Sequence, residues 1–301
     1  MSRITVAGES LVDVVGDEAH AGGSPLNVAV GLARLGHDVE FYTEYGQDEY
    51  GNQIAEHLSK AGVQVAEGCV TERSTSVAQV EMDEQSNAHY SFDIHQQIPD
   101  VRTDDSVELL HTGSIAAWLE PSGQSIVDAF QNAADVSLRS YDPNLRPDLV
   151  ENKEKALKRI ELLISLSHIV KLSDVDGEYL YPHLDPWGVL EHVARLGPAL
   201  AVMTQGGGGC LALADGKRYD MAASPTELVD TIGAGDAFMS GLLNGVLTTP
   251  ELATTLRNGE AAQTQDIEHA LRHGLTSAAL TVAQAGANPP WLEDFNHALN
   301  N

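Results

Sequence analysis

From residue 108 onward the chain alternates short apolar, β-forming runs with segments of helical length, and this rhythm constrains the fold more than any other feature. LLHTGSI, SLRSYDPN, HIVKLS and LAVMTQG read as strands, separated by helix-length stretches at 121–134, 151–165 and 174–197. A strand, a helix and a strand in succession close into a right-handed crossover, which sets the strands parallel in one sheet with helices on its faces. The amino-terminal part opens the same way. ITVAG is a first strand, and SPLNVAVGLARLG is a helix with Leu26, Ala29, Val30 and Ala33 on one apolar face. Ser24 is placed to cap that helix, Pro25 suits its first turn and Gly36 ends it. VEFYTEYG reads as a further strand, residues 49–61 as a helix, GCLALAD with RYDMAA as a hairpin, and the part beyond about 235 as helix-rich.

Between about 63 and 100 the rhythm breaks. TSVAQVEMD and AHYSFDI alternate like half-exposed strands, joined by a polar turn around Glu84–Asn87 with no helix between them. They predict a small antiparallel β appendage on one doubly wound, mostly parallel α/β domain spanning 1–301. Ligands of such folds bind beyond the carboxyl ends of the strands. The loops that matter are therefore 8–27, 142–146, 171–176, 204–209 and 230–236.

Composition excludes several classes. With 44 acidic against 17 basic side chains the formal charge is −27, opposite to what a nucleic-acid binder or an anionic-lipid binder needs. No run approaches the ~18 apolar residues of a membrane span, and the first fifteen residues carry acids and read as strand rather than signal peptide. Cys69 and Cys210 are too few for a disulfide scaffold or a zinc site. A cytoplasmic, reduced protein is expected. The 12 His are scattered; His89 and His95, like Trp118, Trp187 and Trp291, read as packing or surface residues.

Two stretches carry chemistry. In DTIGAGDAFMSGLLNGV, residues 230–246, the small residues Gly233, Ala234 and Gly235 precede a helix whose first amides and dipole suit a phosphate. Asp236 would repel a resident phosphate, and it is placed to take a proton from an attacking hydroxyl. The same aspartate read alone is a helix cap. In AGGSPLNVAVGLARLG, residues 21–36, Gly22 and Gly23 permit close backbone approach, and Asn27 offers donors and acceptors from the first helical turn. Asp13 adds a carboxylate for ligand hydroxyls, or is simply a solvated acid.

Together these stretches resemble the two signature segments of the ribokinase, or PfkB, family of carbohydrate kinases. They stand in the family's order, about 200 residues apart. Gly46, Asp48 and Gly51 fit the segment after the first signature, and DPNLRP at 142–147 resembles the DPN-x-R segment of the fructokinase-like branch. KLSDVDGEYL at 171–180 resembles the KxSxxE segment, and Thr204, Gly206 and Gly209 match the TxGxxG turn. AALTVAQAGANPP at 279–290 is similar to the terminal helix and loop, so the likeness covers nearly the whole chain.

The resemblance implies a ribokinase-like fold whose β lid is the appendage, about 9–21 and 63–100, and transfer of the ATP γ-phosphate to a sugar hydroxyl. Fructose is the first expectation. 2-Keto-3-deoxygluconate, ribose or a nucleoside are alternatives within the family, and a catalytically idle sugar- or nucleotide-binding protein is the alternative outside catalysis. Asp236 is implied as base, with Gly233, Ala234 and Gly235 as anion hole. Asp13, Gly23, Asn27, Phe92, Asn144 and Arg146 are implied at the sugar, and Lys171, Thr204, Gly206 and Gly209 at ATP. Magnesium is implied with ATP, organised through water by Asp176, where the family has glutamate; Glu178 is the alternative. A monovalent cation and a homodimer through the lid are also consistent with the family. The lid stretch NAHYSFDIHQQIPD lacks the arginine-containing FxFYR pattern of fructokinases.

Asp236→Asn separates base from cap, because asparagine caps helices about as well as aspartate but cannot take the proton. The variant is expected to keep its melting temperature and lose turnover by ~10²-fold or more. Unchanged turnover would reject the role.

Overall fold

The computed structural model describes residues 1–16, 18–82, 88–133 and 135–300, without the side chains of 15, 80–82 and 88–90. The turn around Glu84–Asn87 and the side chain of His89 lie outside the described residues. In chain order the strands are β1 (Arg3–Ala7), β2 (Leu11–Val15), β3 (Glu18–Gly22), β4 (Asp38–Tyr42), β5 (Tyr45–Gly46), β6 (Gln64–Val65), β7 (Val70–Thr71) and β8 (Val77–Met82). They continue with β9 (Ala88–Asp93), β10 (Leu109–Gly113), β11 (Leu138–Asp142), β12 (Ile169–Ser173), β13 (Leu200–Thr204), β14 (Cys210–Ala214) and β15 (Lys217–Met221).

Nine of these form one sheet in the order β15-β14-β13-β12-β11-β10-β1-β4-β6. Every pair from β6 to β13 is parallel, and β14 and β15 finish one edge as the predicted antiparallel hairpin. The chain order reverses between β1 and β10, so the crevice beside their carboxyl ends is the natural ligand site. Both faces are covered, which is why these strands read as nearly continuous apolar runs. In β13, Leu200 and Val202 join the core under helices Ser24–Arg34, Ala234–Leu247 and Thr264–Val282. Ala201 and Met203 point the other way, into the core shared with Phe130, Ile160 and Val193.

The lid sheet has the order β3-β2-β8-β9. Its two hairpins, β2–β3 and β8–β9, are antiparallel as expected, while the central pair β2–β8 is parallel. Each hairpin runs out from the body and returns, and the two outgoing strands lie side by side. Alternation along one strand carries no information about that partner's direction. Within 63–100, β6 extends the main sheet and β7 pairs with β5.

Local differences from the sequence reading have local causes. The stretch 174–197 is two helices, Asp174–Leu180 and Pro186–Leu196, because Pro186 starts a new helix under an Asp185 cap that accepts from the Gly188 N–H at 2.7 Å. Residues 114–118 form a short helix instead of prolonging β10. Ser24 is not the cap of its helix: Gly23 holds that position at φ 109, and Ser24 is the first helical residue. Gly36 does end the helix, at φ 92. Trp118 is buried, while Trp187 and Trp291 lie under Arg218 and Arg34. His95 pairs with Asp93 at the surface. Among the described residues no helix is long and apolar enough to cross a membrane.

His111 on β10 is wholly buried, with Nδ1 2.9 Å from Ser140 Oγ. Burial, with Lys171 adding to it, holds its imidazole down at about 3. The unfolded chain takes up this proton near the usual 6.5, so stability is full above that value and falls as the pH drops below it. Between pH 7.5 and about pH 5.5 this one group is expected to remove about 1.4 kcal/mol. Denaturant titrations at both pH values should show the wild type losing that much more than His111→Gln; equal losses would reject the assignment.

Candidate active site

The two segments singled out in the sequence meet at Asp236. This residue is third in helix Ala234–Leu247, whose cap is Gly233 at φ 73, with no side-chain capping bond. The capping alternative is therefore not realised. The Asp236 carboxylate crosses to the other helix instead: Oδ1 accepts from Ser24 Oγ at 2.6 Å and Oδ2 from Asn27 Nδ2 at 2.8 Å. Asn144 Nδ2 approaches Oδ1 at 3.4 Å. All three helix residues are buried, with Asp236 only 7 % exposed. Gly233 must be glycine, since a Cβ there would lie 2.6 Å from Ala287 Cβ. The Ala234 N–H reaches back to the Thr231 carbonyl at 3.3 Å. Gly235 and Asp236 contribute first-turn amides that a helix cannot satisfy internally.

Around this point gather the residues expected at a polyhydroxylated ligand. Asp13 lies on β2, half-buried; burial pushes its carboxyl up, Arg146 and His20 pull it down, and Asp236 adds to the rise. Gly22 backs directly onto the Asp13 carboxylate, which a side chain there would displace. Gly23, at φ 109, sits where a Cβ would be 2.8 Å from the Glu9 carbonyl. Asn144 holds φ 34, a left-handed conformation that asparagine tolerates better than most residues. Arg146 clamps it, donating from Nη1 to Asn144 Oδ1 at 2.7 Å and to the carbonyls of Asn144 and Leu145 at 3.1 and 3.0 Å. Phe92, on β9, is half-buried opposite Ala78 in the lid.

A cleft of about 570 Å³ adjoins this cluster. Thr204, Gly206, Gly209, Ala234 and Gly235 line it, with Leu275, Ala279 and Val282 supplying apolar wall. Gly209 is at φ 102 and packs against the Met221 carbonyl, so no side chain fits there.

Two of the expected residues are enclosed. Lys171 is 3 % exposed and its Nζ lies 2.6 Å from Oδ2 of the fully buried Asp142. Its ammonium sits behind the Gly233–Gly235 turn, 3.3 Å from where a Cβ on Gly235 would stand. Burial works to lower its pKa, but Asp142 prevails and raises it; burial in turn pushes Asp142 up to about 7. Asp176 is likewise enclosed. Its Oδ2 accepts from the Ser173 N–H and Oγ at 2.9 and 2.7 Å, and its Oδ1 from the Leu145 N–H at 2.8 Å. The carboxylate reaches back to its own helix start and closes a capping box there. Glu178, the alternative, is exposed on the same helix. Among the described residues no group of three His, Cys, Asp or Glu is arranged to hold a metal.

Sequence reasoning missed Ser24 as a site residue, Asp142, and Glu9. Glu9 is 1 % exposed, accepts from the Ala116 N–H at 3.0 Å, and has its carboxyl pushed up by burial. Ser24 had a visible signal, a hydroxyl between the paired glycines and Asn27, and Asp142 opens the DPNLRP segment.

A doubly wound sheet, a nucleotide-sized cleft ending at a helix amino terminus, and a buried carboxylate beside it define a phosphotransferase acting on a small hydroxylated acceptor. The family described as pfkB family carbohydrate kinase matches residues 2–294, and the chain belongs to that family, on its fructokinase-like branch. It is an ATP-dependent carbohydrate kinase. Fructokinase of Salmonella typhimurium is 30 % identical over 311 aligned residues, covering 98 % of both chains. The fructokinase of Xylella fastidiosa with bound ATP superimposes with TM-score 0.85 at 23 % identity, over 99 % of this chain and 98 % of that one. A Vibrio cholerae fructokinase double mutant holding fructose, ADP and potassium superimposes with TM-score 0.79 at 26 % identity, over 95 % and 94 %.

The Asp142–Lys171 pair yields a stability test. Lys171→Met strands a buried carboxylate and is expected to cost ~3–5 kcal/mol, whereas Asp142→Asn/Lys171→Met is expected to regain most of it. Chemical denaturation of both variants measures this; a single variant as stable as the double would show that the ion pair does not hold the strands.

Proposed function

We propose that the chain phosphorylates fructose, with Asp236 as the base and ATP in the 570 Å³ cleft. One observation carries this reading. Ala234 and Gly235 line the cleft, and the next residue, Asp236, belongs to the polar cluster of Ser24, Asn27 and Asn144. Consecutive residues thus face donor and acceptor sides of one junction. The acceptor hydroxyl gives its proton to Asp236 as its oxygen bonds to the γ-phosphorus, and the bond from that phosphorus to the β–γ bridging oxygen breaks. First-turn amides of the helix meet the charge that develops on the transferring oxygens. Asp13, Gly23, Asn27, Asn144 and Arg146 bind the sugar, Phe92 closes it from the lid, and Thr204, Gly206 and Gly209 border the nucleotide.

Magnesium bound with ATP supplies positive charge to the phosphates. Asp174, which lines the cleft, is the carboxylate suited to hold its water shell, and Asp176 acts instead through the 142–146 loop. A monovalent cation belongs to the proposal by likeness to the potassium-bound Vibrio cholerae fructokinase. β3 and β9, the open edges of the lid sheet, offer a strand surface to a second copy. Fructose is favoured by the relatives described as fructokinases.

Sugar-dependent ADP release with ATP and Mg²⁺, in sodium and in potassium buffers, across fructose, ribose, 2-keto-3-deoxygluconate, tagatose and adenosine tests the proposal. Fructose is expected to give the highest kcat/KM. Preference for another compound would overturn the substrate, and no release above the ATP-only background would overturn catalysis on this panel.

A further inference from the structure

We infer that Ser24 is a positioning residue for proton transfer, holding one oxygen of Asp236 so that the other takes the proton. The inference deepens the reading of Asp236 as base and rests on it. A serine at the start of a helix is ordinarily explained by capping, and that explanation fails here. Gly23 occupies the cap, no side-chain capping bond exists, and Ser24 is already helical. Its hydroxyl points away from its own backbone and donates to Asp236 Oδ1 at 2.6 Å, with Ser24 5 % and Asp236 7 % exposed. A charge-assisted bond of this length in a buried site fixes the carboxylate's rotation.

Counting lone pairs then distinguishes the two oxygens. A carboxylate oxygen has about two acceptor positions. Oδ1 faces Ser24 at 2.6 Å and Asn144 at 3.4 Å, so both of its positions are addressed by protein donors. Oδ2 faces Asn27 Nδ2 at 2.8 Å and, among the described residues, keeps one position open. The acceptor hydroxyl's proton therefore goes to Oδ2 as the hydroxyl oxygen bonds to the γ-phosphorus and ADP departs with the bridging electron pair. Without the serine hydroxyl, Asp236 keeps only Asn27 and the longer Asn144 contact, and Oδ2 is held less firmly relative to the helix start. Ser24 touches neither reacting atom; it acts through Asp236.

The test is a double-variant cycle of Ser24→Ala with Asp236→Asn, using the sugar with the highest kcat/KM. Alanine is a better helix former than serine and removes only the hydroxyl. Ser24→Ala is expected to melt within a few degrees of wild type, to keep KM for ATP and sugar within about threefold, and to lose about tenfold or more in kcat, the size of a hydrogen bond to a charged group. Ser24→Thr, which restores the hydroxyl, is expected to regain activity. In the Asp236→Asn background, Ser24→Ala is expected to change kcat by less than about twofold, because the two residues act as a unit. Full kcat for Ser24→Ala with an inactive Asp236→Asn would overturn the inference and leave the base intact. An equal tenfold loss in both backgrounds would also overturn it, since Ser24 would then act independently of Asp236. Turnover surviving in Asp236→Asn itself would instead overturn the underlying assignment of the base.

Discussion

The active site depends on how closely two helices from opposite ends of the chain approach. Gly31 of helix Ser24–Arg34 abuts Ser240 of helix Ala234–Leu247 with no space for a side chain. At that separation the short side chains of Ser24 and Asn27 can span to Asp236; a wider gap would need longer donors with more rotamer freedom to lose. Helix Ala234–Leu247 is itself wedged from behind, with Gly241 and Gly245 packed against the backbone of helix Thr264–Val282. The polar junction is thus placed by apolar packing on its far sides, on Leu26, Phe238, Leu242 and Leu271 in one continuous core. Sites held on rigid elements in this way keep their geometry better than sites on loops.

A net charge of −27 works against binding an anion such as ATP, so the attraction has to be local. The exposed acids act through water and salt, where charges more than about 10 Å apart are largely screened at 0.1 M ionic strength. The Lys171 ammonium is screened far less, because it lies in the protein interior behind Gly235. Its partner Asp142 stands beside it on the adjacent parallel strand, so the pair adds no net charge. What it contributes is an oriented dipole next to the unpaired amides of the helix start. Global composition therefore argues about solubility and excluded partners, and says little about the field at the phosphate.

The sheet was largely legible in the sequence because each crossover repeats the same local pattern, with strands buried on both faces and helices amphipathic. ITVAG covers β1 but for Arg3, and HIVKLS and LAVMTQG contain β12 and β13, for that reason. The fold could not be read where pairing is settled between distant segments. Nothing in LVDVV or TSVAQVEMD reveals that β2 and β8 lie side by side in the same direction. Of the candidate site, the meeting of its two segments was legible where residue type limits chemistry, as at Asp236 and Asn27, which lie in hydrogen-bond contact. It was not legible where a residue has a commoner local use. Ser24 looked like a cap, and only a tertiary contact across 212 positions reassigns it.

Asp176 shows how one carboxylate can tie a helix start to a neighbouring loop. It closes the Ser173 capping box with one oxygen and takes the Leu145 N–H with the other. That second bond anchors the 142–146 loop one residue beyond Asn144, whose left-handed φ of 34 aims its amide toward Asp236. Arg146 holds the same turn from the exposed side through the Asn144 side chain and carbonyl. A strained turn persists only when its surroundings over-determine it. Here Asp176 supplies one of those restraints, through the Leu145 N–H next to Asn144.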